Sequence, residues 1–149
     1  MAVVQNDFSQ YGEIGFHGQI NTDYPRKVST QHAEGSSIGF GLGVSYGTAD
    51  KQALLGGAAA DLIGVTVRTQ AVENDSDGVP VYRENQAMSV MESGRMFLKV
   101  SDGSERGKPV YVVEATGELV STASDNVLLA GAKFVRTAAA EAITEIEIK

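Results

Sequence analysis

The stretch IGFGLGVSYG, residues 38–47, decides between two fold classes. Its glycines would suit either the nucleotide-binding loop of an α/β enzyme or a β-strand in which glycine has a structural role. A dinucleotide-binding loop needs the spacing G-x-G-x-x-G. Counted from Gly39, the third glycine falls on Val44, and counted from Gly41 it falls on Tyr46. Both registers fail, and the chain contains no Gly-Lys-Ser/Thr triplet of a P-loop.

The same stretch alternates with a period of two residues, which is typical of a β-strand. The apolar side chains would share one face of that strand: Ile38, Phe40, Leu42, Val44 and Tyr46. The opposite face is bare at Gly39, Gly41 and Gly43. Because glycine weakens a strand interior, we predict close packing against this face, by an aromatic side chain of the N-terminal segment or of a neighbouring subunit, or a sharp bend there.

Composition and charge narrow the class of protein. The chain has 149 residues, enough for one domain, with 17 Gly, 3 Pro and no Cys. Disulfides, thiolate metal sites and cysteine nucleophiles are therefore excluded. A net charge of −7 argues against a protein that mainly holds nucleic acid, which needs a basic surface. We also expect no signal peptide and no membrane helix, because no basic start and no run of about 18 apolar residues occurs.

Several further segments predict strands. LIGVTVRTQAV (62–72) alternates, MSVMESGRMFLKV (88–100) predicts a hairpin that turns at Ser93-Gly94, and VYVVEATGELVST (110–122) predicts a second hairpin. A strand is predicted through residues 132–137, and a short helical turn over 50–55. The sequence thus predicts seven to nine short strands, as in an all-β barrel or sandwich.

The C-terminal residues AITEIEIK (142–149) could continue the alanine run 138–140 as a helix, because Ala and Glu are good helix formers. The β-branched isoleucines alternate with glutamates, however, at Ile143, Ile146 and Ile148. We therefore predict a turn followed by a terminal strand that pairs inside a sheet.

Residues 1–36 differ from the rest of the chain and predict an extended, irregular N-terminal arm, with residues 37–149 as the β body. The arm is polar but contains aromatic side chains, which disordered segments usually lack. We therefore expect it to order against another surface, and the alternative is a disordered tail. Contacts with a neighbouring subunit or another partner surface are assigned to its aromatic and basic side chains: Phe8, Tyr11, Phe16, Tyr24, Arg26 and Lys27.

No catalytic, cofactor or metal constellation emerges from the sequence. The two histidines, His17 and His32, both lie in the arm without a fixed partner, and we interpret them as ordinary surface or contact residues. No G-x-S-x-G elbow occurs. Asp75, Asp77 and Gly78 match only part of a calcium loop and predict a solvated loop tip. A pair of glycosidase carboxylates is not marked by any pattern.

Five segments in order resemble the capsid cement proteins of tailed bacteriophages. They are GFGLGV, LIGVTVR, SVMESGRMFLKVSDG, GKPVYVVEATGELV and LLAGAKFVRTAAAEAITEIEI. The resemblance covers roughly residues 37–149, and its last two segments are also similar to the lambda-type head decoration proteins. Each motif consists of common residues, so the resemblance rests on their order.

The resemblance implies a jelly-roll or barrel body that binds the outside of the capsid shell in the virion, after synthesis in the host cytoplasm. The implied partners are the major capsid protein and further copies of the chain, as a homodimer or homotrimer, with no nucleic acid and no membrane. It implies no enzymatic activity and no cofactor. Two alternatives remain: another β-barrel virion component, such as a tail, adaptor or fibre module, or a small carbohydrate-binding module.

Overall fold

The computed structural model describes residues 15–70 and 72–149. The described residues form twelve strands and one 3₁₀ turn at Ala59–Asp61, which confirms the all-β prediction. The strands are β1 (Gln19–Ile20), β2 (Lys27–Ala33), β3 (Gly43–Tyr46), β4 (Gln52–Leu55), β5 (Leu62–Thr66), β6 (Glu73–Asn74), β7 (Pro80–Val81), β8 (Ala87–Lys99), β9 (Pro109–Val112), β10 (Leu119–Val120), β11 (Val127–Phe134) and β12 (Ile143–Ile148).

The N-terminal half of β8 belongs to a closed ring of strands. The ring runs β8-β2-β4-β3-β5 and returns to β8. Met91 of β8 lies opposite Val28 of β2 on one side and Val65 of β5 on the other, so the ring closes at this residue. All pairs in the ring are antiparallel except β2 with β4. This closure leaves few free strand edges, as in a barrel.

The C-terminal half of β8 belongs to a second sheet, ordered β10-β9-β11-β12-β8. β12 runs antiparallel along one side of β8, from Ile143 opposite Lys99 to Ile148 opposite Gly94. β1 pairs with the other side of β8, where Gln19 lies opposite Phe97. The predicted terminal strand is therefore confirmed, and it lies inside a sheet.

The described residues form two hydrophobic clusters, and β8 contributes to both. Met88 and Val90 pack with one cluster, which includes Ile38, Phe40 and Tyr82. The other cluster includes Met96 and Leu98 of β8, which pack with Phe134 and Ile146. The long strand thus holds the two halves together through side chains as well as through hydrogen bonds.

The predicted hairpin at Ser93-Gly94 is wrong, because residues 87–99 form one continuous strand. The register with β2 shifts just before Gly94, which has a φ of +126°: Lys27 lies opposite Ser93 while Val28 lies opposite Met91, so Glu92 has no partner of its own. β8 thus has an extra residue, a β-bulge, where a turn was predicted. The second predicted hairpin is confirmed, because β9 and β10 pair across the turn at Gly117.

Two smaller predictions also need correction. Residues 52–55 form strand β4 where a helical turn was predicted, because a tight turn at Lys51 returns the chain to pair with β3. A helix of only four residues would be unstable even if these residues had no strand to pair with. The strand predicted at 132–137 begins earlier, as β11 at Val127, and ends at Phe134.

The described part of the predicted arm lies on the body. Residues 19–20 pair with β8 as β1, and residues 27–33 form β2, where the sequence predicted irregular structure. β2 has little apolar alternation because its less exposed face carries Ser29 and Gln31 and only Ala33 is buried, so its signal is weak in the sequence. Within the described residues, no helix is long and apolar enough to cross a membrane.

The stretch at residues 38–47 is less regular than its period predicts. Only Gly43–Tyr46 is a strand, and Ile38 and Leu42 make isolated bridges to Tyr82 and Glu118. The alternation ends at Tyr46, which is exposed, while Ser45 is buried. Gly41 has a φ of +65°, so the chain bends before β3 begins.

Candidate binding surface

The turn before β2 crosses β8 at its bulge and gathers three of the predicted contact residues there. The guanidinium carbon of Arg95 lies 3.8 Å from the centroid of the Tyr24 ring, a cation–π contact, and Tyr24 remains 40% exposed. A Cβ on Gly94 would lie 2.9 Å from the Cβ of Arg26. Because Gly94 has no side chain, this turn can approach β8 closely.

We call this surface the corner patch. It encloses a cleft of about 300 Å³. The residues that line the cleft are Tyr24, Pro25, Ser93, Gly94, Arg95, Glu147, Ile148 and Lys149. Arg26 and Lys27 follow Pro25 in the chain and complete the patch.

Charged side chains link the corner patch to the last strand. Arg95 Nε donates to Glu147 Oε2 at 2.7 Å, and Lys149 Nζ lies 3.4 Å from Glu147 Oε1. Burial would raise the pKa of Glu147, but the hydrogen bonds and charges of Arg95 and Lys149 outweigh it and lower the pKa. Glu147 therefore stays ionised and holds Arg95 beneath the Tyr24 ring.

Glu145 lies under the same network and is 1% exposed. Its Oε1 accepts a hydrogen bond from Asn21 Nδ2 at 3.0 Å, and its Oε2 accepts one from Arg136 Nε at 3.2 Å. Arg95 Nη1 lies 4.0 Å away. A buried carboxylate is tolerated only with such partners, so Glu145 ties the segment before β2 to β12.

The corner patch carries a local excess of positive charge on an acidic chain. Lys27 is exposed and lies 3.5 Å from Glu92, a surface pair that contributes little energy. Arg26 and Lys149 add further exposed cations. The patch therefore complements an acidic partner surface, while the chain as a whole has a net charge of −7.

The remaining predicted contact residues lie elsewhere or outside the described residues. Phe16 is 61% exposed, and its ring lies 5.1 Å from the guanidinium carbon of Arg68, after β5. Phe8 and Tyr11 lie outside the described residues. The structure thus brings Tyr24, Arg26 and Lys27 together and places Phe16 on a separate contact.

Two of the three predicted glycines have close neighbours. A Cβ on Gly41 would lie 2.6 Å from His17 Nε2 and 2.9 Å from Leu98 Cδ2, and one on Gly43 would lie 2.8 Å from Val112 Cγ1. Gly39 has only an ordinary contact, 3.4 Å from Leu42. The neighbour of Gly41 is an imidazole from the N-terminal segment, whereas the neighbour of Gly43 is an aliphatic side chain of β9.

We expect Gly43→Ala to destabilise the protein by about 1–2 kcal/mol, because the added methyl overpacks against a stiff valine. Urea denaturation would measure the free energy of unfolding. Gly39→Ala is the matched control and should cost less than about 1 kcal/mol. Equal losses for the two variants would contradict close packing at Gly43.

The sequence predictions missed Arg95, Arg136 and Glu145. The glutamates of the terminal strand were expected on its polar face, but Glu145 is buried because Asn21 and Arg136 cover it. The pairing of β12 with β8 places Glu147 opposite Arg95, a cross-strand charge pair. That pairing is long-range, so no local pattern in the sequence could show it.

The aspartates of the loop between β6 and β7 and the second histidine, His32, do not form a metal site. Asp75 Oδ1 accepts hydrogen bonds from the amides of Asp77 and Val79, so this aspartate caps the loop between β6 and β7. In residues 15–70 and 72–149, no three His, Asp or Glu side chains are grouped to hold a metal ion. His32 is exposed on β2.

Comparisons with known proteins give one family and a similar fold. The family described as structural cement protein (E217 gp24/Pam3 gp6) matches residues 4–149. A chain of the capsid of Myoviridae phage XM1 has 17% identity and a TM-score of 0.74, and the match covers 100% of this chain and 98% of that one. The head fibre gp8.5 N base of bacteriophage phi29 has 12% identity and a TM-score of 0.45, with coverage of 84% and 95%. No curated protein sequence matches the chain.

Proposed function

Because the chain belongs to the phage family of structural cement proteins, we propose that it binds the outer surface of the capsid shell and clips neighbouring major-capsid subunits together. The family match over residues 4–149 is the observation that carries this proposal. The role is mechanical: the protein stabilises the expanded, DNA-filled head. It requires no enzymatic activity, cofactor, nucleic acid or membrane.

The corner patch is the contact that we assign to the major capsid protein. Its exposed cations would meet acidic groups of the shell, and Tyr24 offers an aromatic surface that Arg95 already holds in place. Aromatic residues and arginines are frequent anchors of protein interfaces. Phe8, Tyr11 and Phe16 are proposed as further contacts of the same kind.

We propose that the protein acts as a homodimer or homotrimer. A clip needs at least two contacts, and a second copy provides the second one. Once the first contact forms, the linked contact acts at a high effective concentration, so that two weak contacts can bind tightly. This arrangement raises the free energy needed to open a seam between subunits.

A shell-binding experiment tests the assignment of the corner patch. Purified expanded shells that lack the protein would be mixed with wild type or with the double variant Arg26→Ala/Lys27→Ala. We expect the double variant to bind about tenfold or more weakly, because two cations that face acidic groups are lost. Wild-type binding should also weaken as salt is added, because salt screens charges at the surface.

The double variant Arg106→Ala/Lys108→Ala is the matched control, since it removes two exposed cations from the loop between β8 and β9. It should bind shells as wild type does. Equal losses for both double variants would contradict the corner patch as the contact. Failure of wild-type protein to bind shells or to raise their melting temperature would contradict the cement function, and labelling of a tail or fibre in electron micrographs would favour the alternative virion role.

A further inference from the structure

The imidazole of His17 lies between β8 and the bend before β3. Its Nδ1 accepts a hydrogen bond from the backbone amide of Lys99 at 2.9 Å. On its other side the ring faces the backbone of Phe40, a hydrogen-bond partner, and Gly41, which has no side chain to block it. The ring lines a cleft of about 290 Å³ together with Leu98 and Leu119, among others.

His17 is one of several attachments that hold residues 15–21 on the body. The amide of Gly18 donates to the carbonyl of Phe97 at 2.8 Å, and the amide of Asn21 donates to the carbonyl of Arg95 at 2.9 Å. The carbonyl of Gly18 accepts from the amide of Arg68 at 2.7 Å. These bonds join the segment to β8 on one side and to the residues after β5 on the other.

The Lys99 bond requires a neutral imidazole. An unprotonated Nδ1 accepts the amide proton, but a protonated ring carries a donor at both nitrogens, and Nδ1–H would then face another N–H. The charged groups around the ring also matter: Lys99 of β8 and Arg68 after β5 disfavour the cation, and Glu118 before β10 favours it. Of these three charged side chains, two disfavour a protonated His17 ring and one favours it.

We propose that His17 is a pH-sensitive latch, whose protonation releases residues 15–21 from β8 and from the bend at Gly41. This inference concerns the free protein and does not depend on the proposed capsid function.

The direction of the pH dependence follows from the imidazole's surroundings. Burial is the main cause that lowers the pKa of His17 below its ordinary value of 6.5, and with Lys99 and Arg68 it outweighs the hydrogen bond to the Phe40 backbone and the charge of Glu118, which favour the cation. The undocked segment therefore binds the proton more readily than the docked one. The equilibrium constant for docking residues 15–21 on the body is largest at pH values above the ordinary pKa. As the pH falls below that value, the constant decreases by up to about tenfold for each pH unit, until the lowered pKa is reached.

Amide hydrogen exchange followed by NMR on the full chain tests the latch. The reporter amides are Gly18, Asn21, Arg68 and Lys99. After correction for the intrinsic effect of pH on exchange, their protection should fall steadily as the pH is lowered from 7.5 to 5. Amides in the middle of β12 should keep theirs.

Two variants separate the latch from a general acid effect. His17→Gln retains a hydrogen-bond acceptor but cannot be protonated, so the reporter amides should lose their pH dependence. His32→Gln removes the exposed histidine of β2 and should behave as wild type. The proposal is overturned if wild-type protection is independent of pH or if His17→Gln responds as wild type does.

The wild-type titration gives a second readout that does not need a folded variant. The loss of protection should follow the titration of the His17 ring resonances. A loss that follows the ring of His32, or neither ring, would also overturn the proposal.

Discussion

Replacing Gly64 by alanine is expected to destabilise the protein by about 3 kcal/mol or more. Gly64 lies in β5, where this strand closes the ring against β8. A Cβ at this position would lie 2.1 Å from the carbonyl oxygen of Met91, 2.8 Å from its carbonyl carbon and 3.2 Å from the Cα of Glu92. All three atoms belong to the backbone, so the clash can be relieved only if a strand moves.

Urea denaturation with a spectroscopic probe of β-structure would measure the loss. Gly78→Ala is the matched control, because Gly78 has a φ of +79° but no atom within 4 Å of an added Cβ. That control should cost about 1 kcal/mol, the penalty of the left-handed backbone conformation alone. If Gly64→Ala costs no more than Gly78→Ala, the close contact of β5 with β8 is contradicted.

Replacing Glu145 by alanine is expected to cost about 3 kcal/mol. The carboxylate is buried, and its removal leaves Arg136 and Asn21 without their acceptor and takes one charge away from Arg95. The loss arises on the buried side of this network, because the truncation leaves a cavity and takes the acceptor away from Asn21, whereas the Arg136 side chain is 54% exposed and stays hydrated. The variant should also loosen residues 19–26, since Asn21 loses its contact with β12.

Glu147→Ala provides the comparison on the same strand. Glu147 also pairs with Arg95, but its side chain is more exposed, and Arg95 would keep Glu145 as a partner. We expect a loss of about 1 kcal/mol or less in the free energy of unfolding. Equal losses at the two positions would show that burial does not set the importance of Glu145.

The sequence predicted the strands whose signals are local. The alternation of isoleucine and glutamate over residues 143–148 predicted β12, and Gly117 between two apolar runs predicted the β9–β10 hairpin. Both features depend on near neighbours in the chain. The composition, with many glycines and scattered β-branched residues, predicted the all-β class.

The bulge at Glu92, beside the predicted turn at Ser93-Gly94, shows where local signals are ambiguous. A hairpin turn and a β-bulge can both use a glycine with a positive φ, so Ser93-Gly94 fits either. The choice was made by β2 and β12, which pair with β8 on both sides of the bulge and are distant in the sequence. β2 itself was missed because polar residues, Ser29 and Gln31, occupy its less exposed face, so apolar alternation is absent.

The binding surface was predicted only in part, for a similar reason. The basic pair Arg26 and Lys27 beside Tyr24 stands out in the sequence, and the structure places these residues at the bulge. Arg95, Glu145 and Glu147 become part of the same surface only through the register of β12 with β8. His17 was interpreted as an ordinary contact residue, because its partners at Lys99 and Phe40 are far away in the chain.

The continuity of β8 has a mechanical consequence. This single strand of thirteen residues carries hydrogen-bonded neighbours of both halves of the molecule. A pull that separates one half from the other is therefore borne partly by covalent bonds along β8, which do not yield at forces that break hydrogen bonds. Under tension, the hydrogen bonds that hold the outer strands of each sheet should break first. The connection between the two halves along β8 should break last.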